Sequence, residues 1–456
     1  MPSTAAARQE LLRRELAALG PPGWRRLDAV FALTTTAETV RLEFTDAQGT
    51  TVRREPTDVI LTLARSERGA SAGPGPGPWW RMLITLESVG SAGSAEVVYD
   101  HGEHPFPADQ LAPPEAYRAD LRAYPRERLP LWLAAHIAHD GRQVRSPGQA
   151  VAQARVDRRA GVAAVPAGGE LPALPEMWAR WAVMAAGFVA AGSPLGPRVQ
   201  PAVGRFEGSR RGGATLYRLP GDRAVLSGGV WDAPALRAAY LGGAPLPALF
   251  AGAPEWVAEP LLNQRVHSGL LSFCFWWEGG SWYRGESPPA GELFTAVPGV
   301  WTSTTVSEVI ADLVDGPGDV PALVTAAEIG VATRSTLVAA FGDSGAFDLD
   351  GALHQLTMAG VTATVPEPMP AEDAMAQVRR YVRDRGLDTR NYPLQELRAD
   401  RIDAGWMLYV PTRPGELAIG RAIFYVADDG VLEQSSSSIA PSVFAADFAR
   451  RFHERH

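Results

Sequence analysis

Residues 405–438 read GWMLYVPTRPGELAIGRAIFYVADDGVLEQSSSS. Trp406–Pro411, Ile419–Ala427 and Val431–Glu433 are runs rich in β-branched and aromatic residues, the side chains that suit a pleated, half-buried surface. Pro414-Gly415 and Asp428-Asp429-Gly430 break these runs where the chain has to reverse. The stretch therefore reads as an antiparallel meander with tight turns. Helical periodicity flanks it over Ala371–Arg385 and Pro441–Arg455, so the terminal module is expected to be α+β. None of its residues suggests catalysis.

Outward from this module, the tract Val365–Pro370 (VPEPMP) reads as a linker, and Asp319–Phe341 before it has helical character. The first part of the chain opens with an amphipathic helix at Ala5–Leu19, followed by strand-like runs at Leu27–Leu33, Val40–Thr45 and Thr51–Arg54. A helix at Thr57–Arg65 leads into Gly69–Pro78 (GASAGPGPGP), which reads as a flexible linker. A strand pair at Trp80–Glu87 and Glu96–Tyr99 follows, then helices at Pro114–Leu121 and Arg126–His139. After the Ala/Gly/Pro-rich stretch Gly161–Pro172 come a helix at Trp178–Val189 and strands at Ala202–Phe206, Thr215–Arg218, Ala224–Leu226, Leu270–Trp277 and Trp282–Tyr283. The expected architecture is a multidomain α+β chain of antiparallel meander sheets packed with flanking helices. Its parts are residues 1–160, 161–320, a helical connection with linker at 321–370, and the module at 371–456. Tyr99–Pro105 (YDHGEHP) and Tyr283–Pro288 (YRGESP) echo one another, which leaves open whether the second part repeats the first.

Composition narrows the function classes. At 456 residues the chain exceeds one ordinary core. With 46% hydrophobic and 21% charged residues it is a folding sequence, not a disordered one. Every basic residue other than histidine is Arg, and the net charge of −8 argues against nucleic acid as a main partner while suiting a basic protein. Cys274 is the one cysteine, which rules out an internal disulfide and a multi-cysteine zinc site. No apolar run reaches the ~20 residues of a membrane span, and the Arg- and Glu-rich start lacks a signal core, so a cytoplasmic protein is expected.

The strings that hint at chemistry are short. Gly342–Gly345 (GDSG) and Ala134-Ala135-His136 match fragments of a serine-protease site, but His136 lies in a helical pattern and the intervening chain is not all-β. The pairs His101/His104 and His136/His139 have spacings seen in zinc sites without further ligands nearby. Asp348-Leu349-Asp350-Gly351 begins like an EF-hand loop, yet its twelfth position is Ala359. No phosphate-binding glycine loop opens a helix. Cys274 on an aromatic strand reads as a buried thiol. Catalytic, cofactor-binding and metal-binding residues are accordingly expected to be none. The adjacent aromatics Trp79-Trp80, Trp276-Trp277 and Trp282-Tyr283 stand beside turns. On a strand, neighbours point to opposite faces, so either both faces are covered or one aromatic of each pair is exposed for binding.

The terminal module, with its Gly-Trp strand, hydrophobic strand, Asp-Asp-Gly turn and serine run Ser435–Ser438, resembles the YrhB-type module of bacterial immunity proteins over about 370–456. The strings Trp80–Leu86, Tyr99–Pro107, Tyr117–Leu121 and Arg128–Trp132 resemble the YezG-like immunity family, as found in actinobacteria, over about 1–145. His101 departs from that family, whose turn more often carries an acidic or aromatic residue here. The resemblance implies a non-catalytic protein that binds a cognate toxin and occludes its active face; a basic toxin domain would suit the acidic charge. An adaptor in a secretion or contractile system and a hydrolase with an inter-domain pocket are the alternatives. The candidate interface residues are Trp79, Trp80, Asp100, Glu103, Trp276, Trp277, Trp282, Tyr283, Glu286, Asp428 and Asp429. The oligomeric state stays open.

Overall fold

The computed structural model describes residues 4–73, 75–88, 94–208, 211–314, 318–363, 366–387, 389–390, 392–412 and 420–453. Val365, the Pro414-Gly415 break and Ile419 lie outside these. The chain divides into two compact units. One comprises Met1–Met177, Leu195–Pro197 and Ala202–Gly299, the other Trp178–Pro194, Arg198–Pro201 and Val300–His456.

In the first unit, α1 (Thr4–Ala18) precedes the strands β1 (Trp24–Leu33), β2 (Glu38–Asp46) and β3 (Thr51–Arg54). Helix α2 (Asp58–Ala70) then leads to β4 (Arg81–Glu87) and β5 (Ala95–Asp100). The sheet order is β3-β2-β1-β4-β5, all pairs antiparallel. Strand alternation sends Leu27, Ala29, Phe31 and Leu33 to one layer, where they meet Leu12 and Leu16 of α1 and Ile60 and Ala64 of α2. A second layer, with α3 (Pro114–Ala123) and α4 (Leu131–Ala138), is built on Trp80, Phe106, Tyr117 and Trp132.

The stretch between α2 and β4 is not a free tether where it is described. The guanidinium of Arg126 donates to the carbonyls of Pro76 and Pro78. Side-chain donors thereby satisfy backbone groups that a Pro/Gly segment leaves without ladder partners.

The same unit contains α5 (Pro147–Ala160), whose capping box Ser146/Gln149 went unread in the sequence. Six strands of the second sheet belong here: β6 (Val165–Pro166), β8 (Val203–Glu207), β9 (Gly213–Leu219), β10 (Arg223–Gly229), β11 (Phe273–Glu278) and β12 (Ser281–Arg284). They run β6-β12-β11-β10-β9-β8. Strands β8 to β12 pair consecutively, with α7 (Pro234–Leu241) inserted between β10 and β11, whereas in the first sheet β4 returns to pair with β1. The two sheets are thus wired differently despite the sequence echo.

The second unit contains most of α6 (Leu174–Ala190), the short β7 (Arg198–Gln200), and α8 (Ser303–Val314), α9 (Val320–Glu328), α10 (Arg334–Phe341) and α11 (Leu349–Ala359). Helix α6 is apolar nearly all round and correspondingly buried. Two of its polar side chains are bonded: Trp178 Nε1 donates to Ala359 O at 2.8 Å and Arg180 Nε to Glu328 at 2.7 Å. The helical run expected at Asp319–Phe341 is two helices, broken where Gly330 adopts φ +76°. Asp348 is the N-cap of α11, accepting from Gly351 N at 2.8 Å, so the EF-hand-like string is a helix start.

The terminal module has α12 (Ala371–Asp384), β13 (Arg398–Ile402), β14 (Gly405–Tyr409), β15 (Ala422–Ala427), β16 (Leu432–Ser436) and α13 (Pro441–His453), with sheet order β13-β14-β15-β16. Alternation along β15 builds both cores. Phe424 and Val426 pack with Ala374, Val378 and Val382 of α12, while Ile423, Tyr425 and Ala427 pack with Phe448 and Phe452 of α13. The fold is α+β with three antiparallel sheets, as the sequence indicated.

Candidate functional site

The best-defined polar surface is the turn that follows β5. Asp100 faces Arg81 across the β4–β5 ladder, and its carboxylate accepts from Arg81 Nε at 3.1 Å and Nη2 at 2.5 Å. Its other oxygen accepts from Gly102 N at 2.8 Å, closing an Asx-type turn. Burial pushes this carboxyl up, but the hydrogen bonds from Arg81 and Gly102 outweigh it and hold Asp100 below the usual carboxylate range. Arg81 is fixed in turn by Gln110 Oε1 at 2.6 Å and lies 4.5 Å from the Phe106 ring centroid.

Gly102 has φ +90°, and a Cβ there would stand 3.3 Å from the Trp80 ring and 3.4 Å from Pro130. Its carbonyl accepts from Trp132 Nε1 at 2.8 Å. Trp80 in turn donates Nε1 to Asp120 at 2.9 Å. Asp120 is fully buried; it accepts from Arg68 Nη2 with both oxygens at 2.8 Å and from Thr35 N at 3.0 Å. Arg126 stands 3.6 Å from Asp120, with its guanidinium 3.4 Å from the Trp80 ring centroid. Burial brings the Arg126 pKa down to about 10, partly offset by Asp120.

Above this base, Glu103, His104 and Pro105 are exposed. The Glu103 carboxylate accepts from His101 N at 3.0 Å. Arg211 donates to the Glu103 carbonyl and meets His104 Nε2 at 2.9 Å, and its guanidinium lies 5.0 Å from the Trp231 ring centroid. Cavities of about 490 Å³ and about 320 Å³ border the turn. His101, Glu103 and Arg237 line the first, and Pro105, Arg211 and Trp231 the second.

The aromatic half of the candidate interface requires correction. Trp79, Trp80, Trp276, Trp277 and Trp282 are all buried, because both faces of their sheets are covered. Trp79 stacks on Tyr99 at 6.2 Å on one side, and Trp80 meets Tyr117 edge-on at 5.8 Å on the other. Trp276 stacks on half-buried Tyr283 at 6.3 Å, and Trp277 meets Trp282 at 5.5 Å. Asp100 is likewise buried, which makes it the anchor of its turn and not a contact residue. Glu286 is exposed, although its carboxylate accepts from Ala248 N at 2.7 Å. The side chain of Asp428 is only 5% exposed; it takes Arg401 in a fork at 2.7 and 2.6 Å and Met369 N at 2.8 Å. Half-buried Asp429 accepts from Val431 N at 3.0 Å.

The chemical strings are placed as follows. His136 Nε2 bonds Ala112 O at 2.9 Å and its ring meets Tyr117 edge-on. His139 is buried, and desolvation followed by the neighbouring Arg142 lowers its pKa. His101 is half-buried and its pKa is lowered, again chiefly by desolvation. Ser344 sits in an exposed turn after α10. Cys274 is fully buried, which pushes its thiol up and makes it unreactive. Among the described residues there is no group of three or more His, Cys, Asp or Glu that could hold a metal ion. No helix among them is long and apolar enough to cross a membrane.

Sequence reasoning missed Arg81, Arg68, Asp120 and Arg126, which build the base of the turn, and Trp231 beside it. A chain with so many arginines offers no signal for which are buried. No protein-family model matches this chain, and no curated protein is similar to it.

Proposed function

We propose that this chain is a non-catalytic, immunity-like binding protein that occludes the active face of a basic protein toxin, with the Glu103–Pro105 turn as its primary contact. The observation that carries this reading is a turn whose outward side chains are exposed while its backbone is held from beneath by Asp100–Arg81 and Gly102–Trp132. A surface held rigid before binding loses little conformational entropy on association. The exposed carboxylate of Glu103 and the net charge of −8 both favour a cationic partner.

Affinity purification of the intact chain from its native cells tests the reading, with a Glu103→Arg variant run in parallel. Recovery of one toxin-domain protein by the wild type, lost in the variant, supports it. Recovery of a large secretion or contractile assembly favours the adaptor alternative. A chain that captures nothing and hydrolyses members of a substrate panel overturns the binding reading.

A further inference from the structure

The cavity of about 320 Å³ beside the turn has apolar walls and, among the described residues, one cation without a carboxylate partner. Leu131 and Trp132 form buried wall on one side, and half-buried Val230, Trp231 and Leu270 line the other. Four charged side chains border it: Glu207, Arg211, Asp232 and Arg265. Arg265 is forked by Glu207, its Nη2 at 2.7 and 2.8 Å from the two carboxylate oxygens. It lies where side chains at Gly213 and Gly229 would otherwise be: a Cβ on Gly213 would stand 2.5 Å from Arg265 Nη2, and one on Gly229 3.1 Å from its Cδ. These two glycines face each other across the β9–β10 ladder, so the sheet end is bare where the guanidinium stem rests. Asp232 is paired with Arg237.

Arg211 is different. Among the described residues it has no carboxylate partner; it is held by the Glu103 carbonyl, His104 Nε2 and the face of Trp231. Of a guanidinium's five N–H donors, those contacts engage two, which leaves three for a ligand. Arg211 and Asp232, at φ +63° and +60°, also hold backbone conformations that side chains other than glycine rarely adopt. Such outliers persist where the surroundings over-determine them, and they concentrate at ligand clamps.

We infer that this cavity binds a monoanionic carboxylate carried on an aromatic or branched apolar group, with Arg211 receiving the carboxylate and Trp132, Val230, Trp231 and Leu270 enclosing the apolar body. The other charges lining it among the described residues are already paired, Arg265 with Glu207 and Asp232 with Arg237, so among these residues Arg211 is the cation offered to an anionic group. The volume falls at the lower end of small-ligand pockets, roughly 300–1,000 Å³, which fits one aromatic acid or the last residue of a polypeptide and little more. A planar guanidinium in a sheltered, aromatic-walled site suits a bidentate carboxylate.

Three probes titrated into the full chain by ligand-observed NMR test it: 3-phenylpropionate, N-acetylphenylalanine and N-acetylphenylalaninamide. Ligands of this size are expected to bind with Kd on the order of 1 mM. Saturable binding by both acids and not by the amide supports a free-acid site. Binding by N-acetylphenylalanine alone supports a polypeptide C-terminus as the source of the same chemistry. Arg211→Gln is expected to weaken the acids about tenfold or more with the melting temperature unchanged. Trp231→Ala, which opens the wall and removes the ring that the Arg211 guanidinium faces, should weaken them as well. No saturable binding by either acid, equal binding of the amide, or unchanged affinity in Arg211→Gln each overturns the inference.

Discussion

Two acidic turns carried equal promise in the sequence, Asp100–His104 in the first unit and Asp428–Gly430 in the second. In both, the first carboxylate turns inward: Asp100 to Arg81, Asp428 to Arg401 and Met369 N. The difference lies in what remains. Past Asp100 the chain continues into exposed Glu103, His104 and Pro105, and two cavities border the turn. Past Asp428 comes Asp429, whose carboxylate accepts from Val431 N to close the hairpin, and then β16. The first turn thus leaves Glu103, His104 and Pro105 exposed after its structural acid before the next element. The Asp428 turn is too short for that.

The strongest test of this contrast attacks the base of the first turn. Asp120→Asn keeps the shape but leaves Arg68 and Arg126 buried without a carboxylate. Breaking a buried ion pair by removing one partner costs about 3–5 kcal/mol, and that loss is expected here, measured as faster hydrogen exchange at amides of β1 and β4. A cost near that of an exposed pair, about 1 kcal/mol or less, would show that the turn does not depend on its ionic base.

Asp100→Asn comes next, at about 2–3 kcal/mol, because a buried charge-assisted bond to Arg81 is weakened. Its pH dependence has a definite sign. The folded-state pKa of Asp100 lies below the unfolded value of about 3.9. Its stabilising contribution is therefore complete above about pH 4 and fades as pH falls through the lowered folded value. The gap between wild type and Asp100→Asn should stay flat from neutral pH to that point and narrow only below it. A gap that closes between pH 7 and 5 would assign the effect to a different group.

Asp428→Ala is expected to cost less, about 1–2 kcal/mol, because Arg401 is 36% exposed and water replaces part of what is lost. Hydrogen exchange at β14 and β15 amides measures it. A loss matching that of Asp120→Asn would erase the distinction between the turns.

The two turns also show what one sequence can and cannot convey. The meander, its Asp-Asp-Gly turn and the flanking helices α12 and α13 were legible because strand composition and turn chemistry are local signals. Strand β13 was not, since Arg398–Ile402 is a charged strand that pairs, among the described residues, with β14 alone. Helix α11 was hidden because Asp348 resembled a metal-loop residue while serving as a cap. The aromatic pairs exposed the deeper limit. Alternation says that Trp79 and Trp80 point to opposite faces, but whether helices cover both faces depends on where α2 and α3 pack, which local pattern does not state. The site itself was half legible: Glu103 could be named from its turn, while Arg81 and Asp120 are long-range partners that no local pattern marks.

The smallest expected effect on stability is the most informative about function. The Glu103 carboxylate accepts from His101 N at an exposed position, so Glu103→Ala should change stability by no more than about 0.5 kcal/mol. The contact between Arg211 and the residue-103 carbonyl survives the substitution, because it uses the backbone. If the turn is a recognition surface, the same variant should lose partner capture while hydrogen exchange throughout β4 and β5 matches the wild type. A large stability loss would instead make Glu103 a second structural acid like Asp428, and the two turns would then be alike. Unchanged stability together with unchanged capture would move the contact away from this turn altogether.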